Sequence, residues 1–337
     1  MKTLASQLRH SDGTGPLVLV LGYILLTYVG GWLAMAQPGF WLPALGTLAC
    51  AHGMIIASYL VHDCAHNAIF KRTEINTRLG RALNWVTGGC YGTYEDLRYK
   101  HMRHHVDNAD PISFDYRLWL KGHPRVEKTV FALEWAYIPA VDYLMHGVLM
   151  LAPFLGLGDP AQRRRTLTVL VVRGLALVAL AVWSLQAVLL YAVAYTLMLM
   201  VLRFFDAYQH NYEIIVNLDD PANLPHKGDR EYEENNTYSN LISRRWPVLN
   251  LLVLNFCYHN AHHAKPTTPW YKLPALHNEI YGSHQVQTLD LVSQIKSLHH
   301  NRLEGIYAET YGQVEVPEAV RRGEAVPVYG LSFLTAF

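Results

Sequence analysis

Apolar residues along the chain gather into four runs near 20 residues long, at 16–36, 40–61, 166–183 and 187–205, instead of recurring as one narrow stripe on amphipathic helices. A hydrocarbon core of roughly 30 Å takes about 20 residues of helix to cross, so each run predicts a membrane span. Two turns without a charged residue, Gln37-Pro38-Gly39 and Ser184-Leu185-Gln186, join the runs in pairs. They predict two helical hairpins whose free ends emerge on one common side. Arg163-Arg164-Arg165 stands just before the third run, and the bias of Lys and Arg toward the cytoplasm assigns that side to the cytoplasm. The expected fold is therefore all-α: a polytopic integral membrane bundle of four transmembrane helices in two hairpins. Cytoplasmic segments 62–165 and 206–337 would supply a helical cap, with residues 1–337 forming a single domain.

Residues 129–157 are apolar but carry Glu134, Asp142 and His146, and Pro139, Gly147, Pro153 and Gly156 interrupt them. A fifth crossing would need a partner to restore the topology, so interfacial or re-entrant helices are expected. Arg173, about two turns inside the third run, is expected to snorkel to the cytoplasmic face or to pair within the bundle. The polar run from Asp229 to Glu234 reads as a solvated loop or cap. No small-residue cleavage pattern follows the first run, which is read as a retained span and not a signal peptide.

Composition agrees with a membrane protein, since 51% of residues are hydrophobic and only 16% charged, against about 25% charged in ordinary globular chains. A net charge of +1 leaves no basic surface to replace phosphate counterions, which sets nucleic acid aside as a partner. Cys50, Cys64, Cys90 and Cys257 form no CxxC pair and read as reduced, buried thiols. They also give no cysteine set for an iron–sulfur cluster.

Three histidine clusters flank the apolar runs: His62 and His66, then His101, His104 and His105, then His259, His262 and His263. Spacings of three and four place the side chains of each cluster on one helical face, and imidazole suits Fe, Cu, Ni and Zn. Eight imidazoles exceed the ligands of one tetrahedral ion, so a dimetal centre is the simplest reading. The hairpin topology puts all three clusters on the same expected face, as one cage requires. His52 lies nearly three turns before His62, where packing and a channel role weigh equally. His277, His284 and His299-His300 lack ligand spacing and read as surface histidines, while Trp246, Trp270 and Tyr271 read as interfacial anchors.

The three clusters resemble the HxxxH, HxxHH and final H/QxxHH boxes of the membrane-bound fatty acid desaturase superfamily, whose members are histidine-box di-iron desaturases and hydroxylases. Asn108-Ala109-Asp110-Pro111 resembles the continuation of the second box, and Pro269-Trp270-Tyr271 with Leu273-Pro274 resembles the continuation of the third. The resemblance covers roughly residues 40–280. It implies two Fe ions that activate O2 and a fatty acyl substrate as acyl lipid or thioester. It also implies a ninth ligand, which falls on His210, with Asp206 one turn earlier as a contact to a metal-bound water or an orienting group. Asp63 and Asp107 are candidates to fix histidine tautomers, with plain surface solvation weighing at least equally for each. Arg98, Lys100 and Arg103 read as surface cations, with an anionic head-group site as the other reading.

No His-Pro-Gly-Gly motif of a fused cytochrome b5 domain is present. The electrons are therefore expected from a separate ferredoxin, rubredoxin or cytochrome b5. The same scaffold supports lipid hydroxylases and carotenoid ketolases. A membrane zinc hydrolase and a non-catalytic metal or lipid sensor are the alternatives from other classes. The expected location is a bacterial inner membrane with the metal site facing the cytoplasm, and the endoplasmic reticulum is the alternative.

Overall fold

The structure is a computed structural model describing residues 4–157, 159–212, 214–218, 224–282, 287–308 and 316–336. It is mostly helical. The principal helices are α1 (Thr14–Met35), α2 (Trp41–Ala65), α3 (Thr73–Thr87), α4 (Tyr94–Asp107), α5 (Tyr116–Lys121), α6 (Pro124–Trp135), α7 (Ala140–Leu155), α8 (Arg163–Trp183), α9 (Leu185–Asp206), α10 (Arg230–Asn235), α11 (His259–Ala264), α12 (Leu273–Ile280) and α13 (Leu291–Asn301). Two short strands, β1 (Asp110–Ile112) and β2 (Ile215–Asn217), pair in parallel with Asp110 opposite Ile215.

Among the described residues, four helical segments are long and apolar enough to cross a membrane: Ser11–Met35, Trp41–Ala65, Pro160–Trp183 and Leu185–Asp206. The second runs past residue 61, so His62 belongs to the helix itself and His66 is the residue that ends it. Along α8, the side chains of Leu167, Val171, Leu175, Val178 and Val182 are all exposed. They share one helical stripe with no protein cover, as expected for a surface meeting lipid.

The chain divides into two compact units, one formed by Met1–Glu95 with Leu149–Val201 and the other by Asp96–Val148 with Leu202–Ala336. In the first, α1 and α2 pack closely because glycines remove side chains at their crossing. A Cβ on Gly31 would lie 2.8 Å from Cys50 Cβ and 2.8 Å from the Gly46 carbonyl oxygen. We expect Gly31→Val to force the two helices apart and cost about 1–3 kcal/mol, the range for overpacking a close contact. Thermal unfolding in detergent reads this directly, and an unchanged midpoint would contradict the packing.

The two hairpin turns are tied together, since Gln186 Nε2 donates to the carbonyls of Met35 (2.8 Å) and Gln37 (3.0 Å). Arg173 pairs within the bundle instead of snorkelling. It donates to the Trp85 carbonyl at 2.8 Å, the Cys90 sulfur at 3.5 Å and the Tyr191 hydroxyl at 3.4 Å. Arg165 caps three successive carbonyls, Cys90, Tyr91 and Gly92, at 2.7–3.0 Å. His52 is hydrogen-bonded to the Tyr23 hydroxyl at 2.5 Å, which favours the packing role.

The second unit explains the acidic residues in the interrupted apolar stretch. Glu134, on α6, accepts from both terminal nitrogens of Arg203 at 2.6 and 2.8 Å, and Asp142, on α7, pairs with the same guanidinium. All three side chains are buried. Glu134 also accepts from the Val141 amide at 2.9 Å and so satisfies an orphan donor at the start of α7. Around this ion triad packs a core of Tyr116, Leu120, Val130, Val141, Met145 and Tyr329.

Candidate metal centre

α4 carries the second histidine cluster on one face. It ends at Asn108, whose φ of 49° is left-handed, a conformation that Asn tolerates better than most residues. The Asn108 side-chain amide donates to the carbonyls of His226 and Asp229, both at 2.8 Å. Asp229 in turn caps α10, its carboxylate accepting from the Tyr232 amide at 3.0 Å. The helix so begun places Glu233 Oε1 2.8 Å from His263 Nδ1 and 3.9 Å from His105 Nδ1.

The β1–β2 pairing joins the chain just after the His101 cluster to the chain just after His210, with the Asp110 amide donating to the Ile214 carbonyl at 2.9 Å. The third cluster lies on α11, entered through Leu254 and Asn255. Both are left-handed, with φ of 51° and 58°. For Leu that conformation is costly, so the surrounding packing must hold the turn. Asn255 helps by donating to the Trp270 carbonyl at 3.1 Å.

Seven histidines converge in this unit as two neighbouring groups. In one, the ligand-capable nitrogens of His104, His210, His259 and His263 all lie within 4.8 Å of one another. Nε2 of His210 is 3.0 Å from Nε2 of His104 and 2.7 Å from Nε2 of His259. In the other, Nε2 of His105 is 3.3 Å from Nε2 of both His101 and His262. The rings of His105 and His263, one from each group, stack with centroids 4.0 Å apart. In the first unit, His62 and His66 stand at the end of α2 with ring centroids 4.9 Å apart.

Tautomers decide what these nitrogens can do. His104 Nδ1 faces the Ala109 carbonyl at 3.0 Å and the Asp110 carboxylate at 3.3 Å, so it carries the proton and leaves Nε2 as a bare lone pair. His210 Nδ1 lies 3.3 Å from the Thr237 hydroxyl oxygen, whose hydrogen is already donated to the Glu233 carbonyl at 2.7 Å. Nδ1 is again the donor and Nε2 again bare. Two lone pairs facing each other at 3.0 Å repel unless a cation lies against both. Metal–imidazole bonds of about 2.1 Å at about a right angle place two nitrogens about 3 Å apart. His263 is held the same way, with Nδ1 on the Glu233 carboxylate and Nε2 buried without a hydrogen-bond partner.

Burial, reinforced by the neighbouring imidazoles, holds His210 and His263 well below the usual histidine range. They stay neutral, as metal ligation requires. The donor set therefore fits transition-metal ions, with carboxylate, carbonyl and hydroxyl groups orienting the ligands from behind.

Several sequence-based expectations change at this site. Within the acidic run, Asp229 caps α10 and Arg230, Glu231 and Glu234 are exposed, as expected of a solvated cap, but Glu233 reaches the histidines, and burial pushes its carboxyl up. Asp107 pairs with Arg103 and, at 3.1 Å, with Lys227 Nζ, so its place is with cations and not with a histidine. Asp63 stands 3.7 Å from His62 Nδ1, beyond hydrogen-bond reach. Lys100 is buried and donates to the Ser332 carbonyl at 2.8 Å, and Arg103 donates to the Leu218 carbonyl at 3.1 Å. Neither is available as a surface clamp for a head group. Arg98 is half-buried.

His277 is buried rather than on the surface. It bonds the Asn260 side chain at 3.2 Å, inside the third box. His299 and His300 are exposed, and His284 lies outside the described residues. Asp206, the last residue of α9, lines a cavity of about 60 Å³ together with Lys100, His101, His104, His210 and His259. The roles of Glu233, Thr237 and His277 were missed because they act through contacts between segments far apart in sequence. The one local hint was an acidic residue in a chain with few charges.

Among known proteins, the family model described as fatty acid desaturase matches residues 38–287, the greater part of the chain and all three histidine boxes. No curated protein matches the chain. With four helices able to span a membrane and a histidine-rich cluster behind the matched boxes, the chain is a membrane protein that belongs to the fatty acid desaturase family, an oxidoreductase family acting on lipid.

Proposed function

We propose that the protein is an O2-dependent di-iron desaturase of a fatty acyl chain, presented as an acyl lipid or acyl thioester. The observation that carries this reading is the pair of histidine groups whose Nε2 atoms point at one another, with Nδ1 of His104, His210 and His263 already occupied. His101, His105 and His262 would hold one iron, and His104, His210, His259 and His263 the other. The box pattern adds His62 and His66 to the ligand set. Iron bound by neutral imidazoles supplies O2 activation and the oxidising power to take hydrogen from an unactivated C–H bond.

The residues around it do the rest. Glu233, the Ala109 carbonyl and Thr237 keep the protons of His263, His104 and His210 on Nδ1, so each Nε2 stays free to ligate. Phe256, Leu331 and Phe333 give the cavity an apolar side that excludes water and suits a hydrocarbon. Asp206 lines the same cavity and would hydrogen-bond a water there. In the balanced reaction, one O2, two external electrons, two protons and two substrate hydrogens leave as two waters, and the acyl chain gains a double bond.

Removing Glu233 tests this arrangement from outside the ligand set. We expect Glu233→Ala to weaken iron retention against a chelator by about 10–100-fold, the usual cost of losing an outer partner. Retention equal to that of the unaltered protein would show that Glu233 does not position His263.

In this reading, residues 1–337 act as one domain, with segments 62–165 and 206–337 on the cytoplasmic side. The membrane is a bacterial inner membrane, or alternatively that of the endoplasmic reticulum. A separate ferredoxin, rubredoxin or cytochrome b5 delivers the electrons. A hydroxylase or ketolase acting on a lipid or carotenoid is the second reading, since the same cavity would serve it. The seven converging imidazoles weigh against a zinc hydrolase, for which three protein ligands are enough.

A further inference from the structure

The last part of the chain makes a wall of the cavity at the histidines. Residues 324–329 have no regular secondary structure, yet most of the segment from Ala325 to Ala336 is buried, including Ala325, Val328, Tyr329, Phe333, Leu334 and Thr335. It lies beyond residues 38–287 that match the family model. Extended chain of this kind is buried only where its polar groups are answered, and here they are. Lys100 Nζ donates to the Ser332 carbonyl at 2.8 Å and to Thr335 Oγ1 at 3.3 Å, and Ser113 Oγ donates to the Thr335 carbonyl at 3.1 Å. Ser297 Oγ donates to the Ala325 carbonyl at 2.7 Å, and the Arg203 guanidinium sits 4.0 Å from the Tyr329 ring centre. At Gly330, φ is +79° and an added Cβ would lie 2.6 Å from the Tyr116 ring, so the strap passes there directly against that ring.

Two side chains of the strap enter the cavity. Leu331 and Phe333 line it together with His104, His210 and His259, and the Phe333 ring centre is 5.8 Å from that of His101. The space is about 60 Å³. With roughly 10–15 Å³ needed for one water, it holds a short piece of a chain and no more, so a single side chain at its wall decides which piece fits.

We propose that the strap 325–336 is the specificity wall of the substrate cavity, with Leu331 and Phe333 setting which carbons of an acyl chain lie against the histidines. The proposal rests on the lipid-oxidising reading of the site. The buried ammonium of Lys100 is the positioning element that fixes the strap.

Photolabelling tests it without relying on turnover. The full iron-loaded chain in lipid nanodiscs is irradiated with stearic acid bearing a mid-chain diazirine, then digested with trypsin. Cleavage after Arg322 releases residues 323–337 as one peptide. We expect label on that peptide, with Leu331→Trp, which fills the cavity from a half-buried position, lowering its yield about tenfold or more, as for a blocked apolar pocket. In turnover, Phe333→Ala is expected to shift the double bond or the accepted chain length. Label confined to other peptides and insensitive to Leu331→Trp would overturn the wall while leaving the acyl reading standing. No label anywhere on a folded, iron-loaded chain would overturn the acyl reading and the wall with it.

Discussion

His210→Ala is expected to abolish desaturation and to strip metal from the protein, with both effects exceeding about 100-fold because even outer partners of a ligand cost 10–100-fold. His210 belongs to none of the three boxes, but its Nε2 lies within 3.0 Å of those of His104 and His259, at the centre of one histidine group. Its Nδ1 is committed to Thr237, so the ring cannot turn to serve another purpose without losing that bond. The measurement is iron content by elemental analysis of purified protein, read beside acyl product by mass spectrometry. Full iron and full product in the variant would remove His210 from the centre. Thr237→Val offers a graded companion, since it deletes the acceptor behind Nδ1 together with that hydroxyl's bond to the Glu233 carbonyl, and should weaken iron retention without eliminating it.

Arg203→Met should be the most destabilising single change outside the histidines. The guanidinium answers two buried carboxylates at once, Glu134 and Asp142, and removing it leaves both without their cation. Breaking a buried pair from one side costs about 3–5 kcal/mol, and here two acids are stranded by one substitution. The expected result is a large fall in folded yield and thermal midpoint. Glu134→Gln with Asp142→Asn in the Arg203→Met background should recover part of the loss, because it removes the stranded charges. A midpoint unchanged in Arg203→Met would show that the triad contributes little. Failure of the triple variant to recover would locate the cost in packing against Tyr329, whose ring the guanidinium covers.

Much of this protein could be read from its sequence because its strongest signals are local. An apolar run near 20 residues has few structural outcomes, and α1, α2, α8 and α9 follow such runs. Histidines three and four apart share a helical face whatever surrounds them, so the second and third clusters were visible as ligand faces before any packing was known. What stayed hidden depends on distant contacts. Glu233 lies in a charged hexapeptide that reads as a solvent-facing cap, and long-range contacts, among them the Asn108 bonds to residues 226 and 229, bring α10 to the histidines. Asp107 and Lys100 misled for the same reason. Proximity in sequence to a histidine made Asp107 a candidate orienting group, and a polar setting made Lys100 a surface cation, whereas Asp107 is held by Arg103 and the distant Lys227, and Lys100 by the distant Ser332. The strap at 325–336 carries no motif; its largely apolar side chains join buried cores through Ala325, Val328 and Tyr329, and its answered backbone groups permit that burial.

The most direct test of the central claim combines metal content and product identity on one preparation. The purified full chain is reconstituted with iron, supplied with O2, a reductant-coupled ferredoxin and a saturated acyl lipid, and analysed for bound metal and for product mass. The account predicts two irons per chain and a product lacking two hydrogens, formed only when O2 and electrons are both present. One zinc per chain with a hydrolysed product, or turnover that persists without O2, would contradict it.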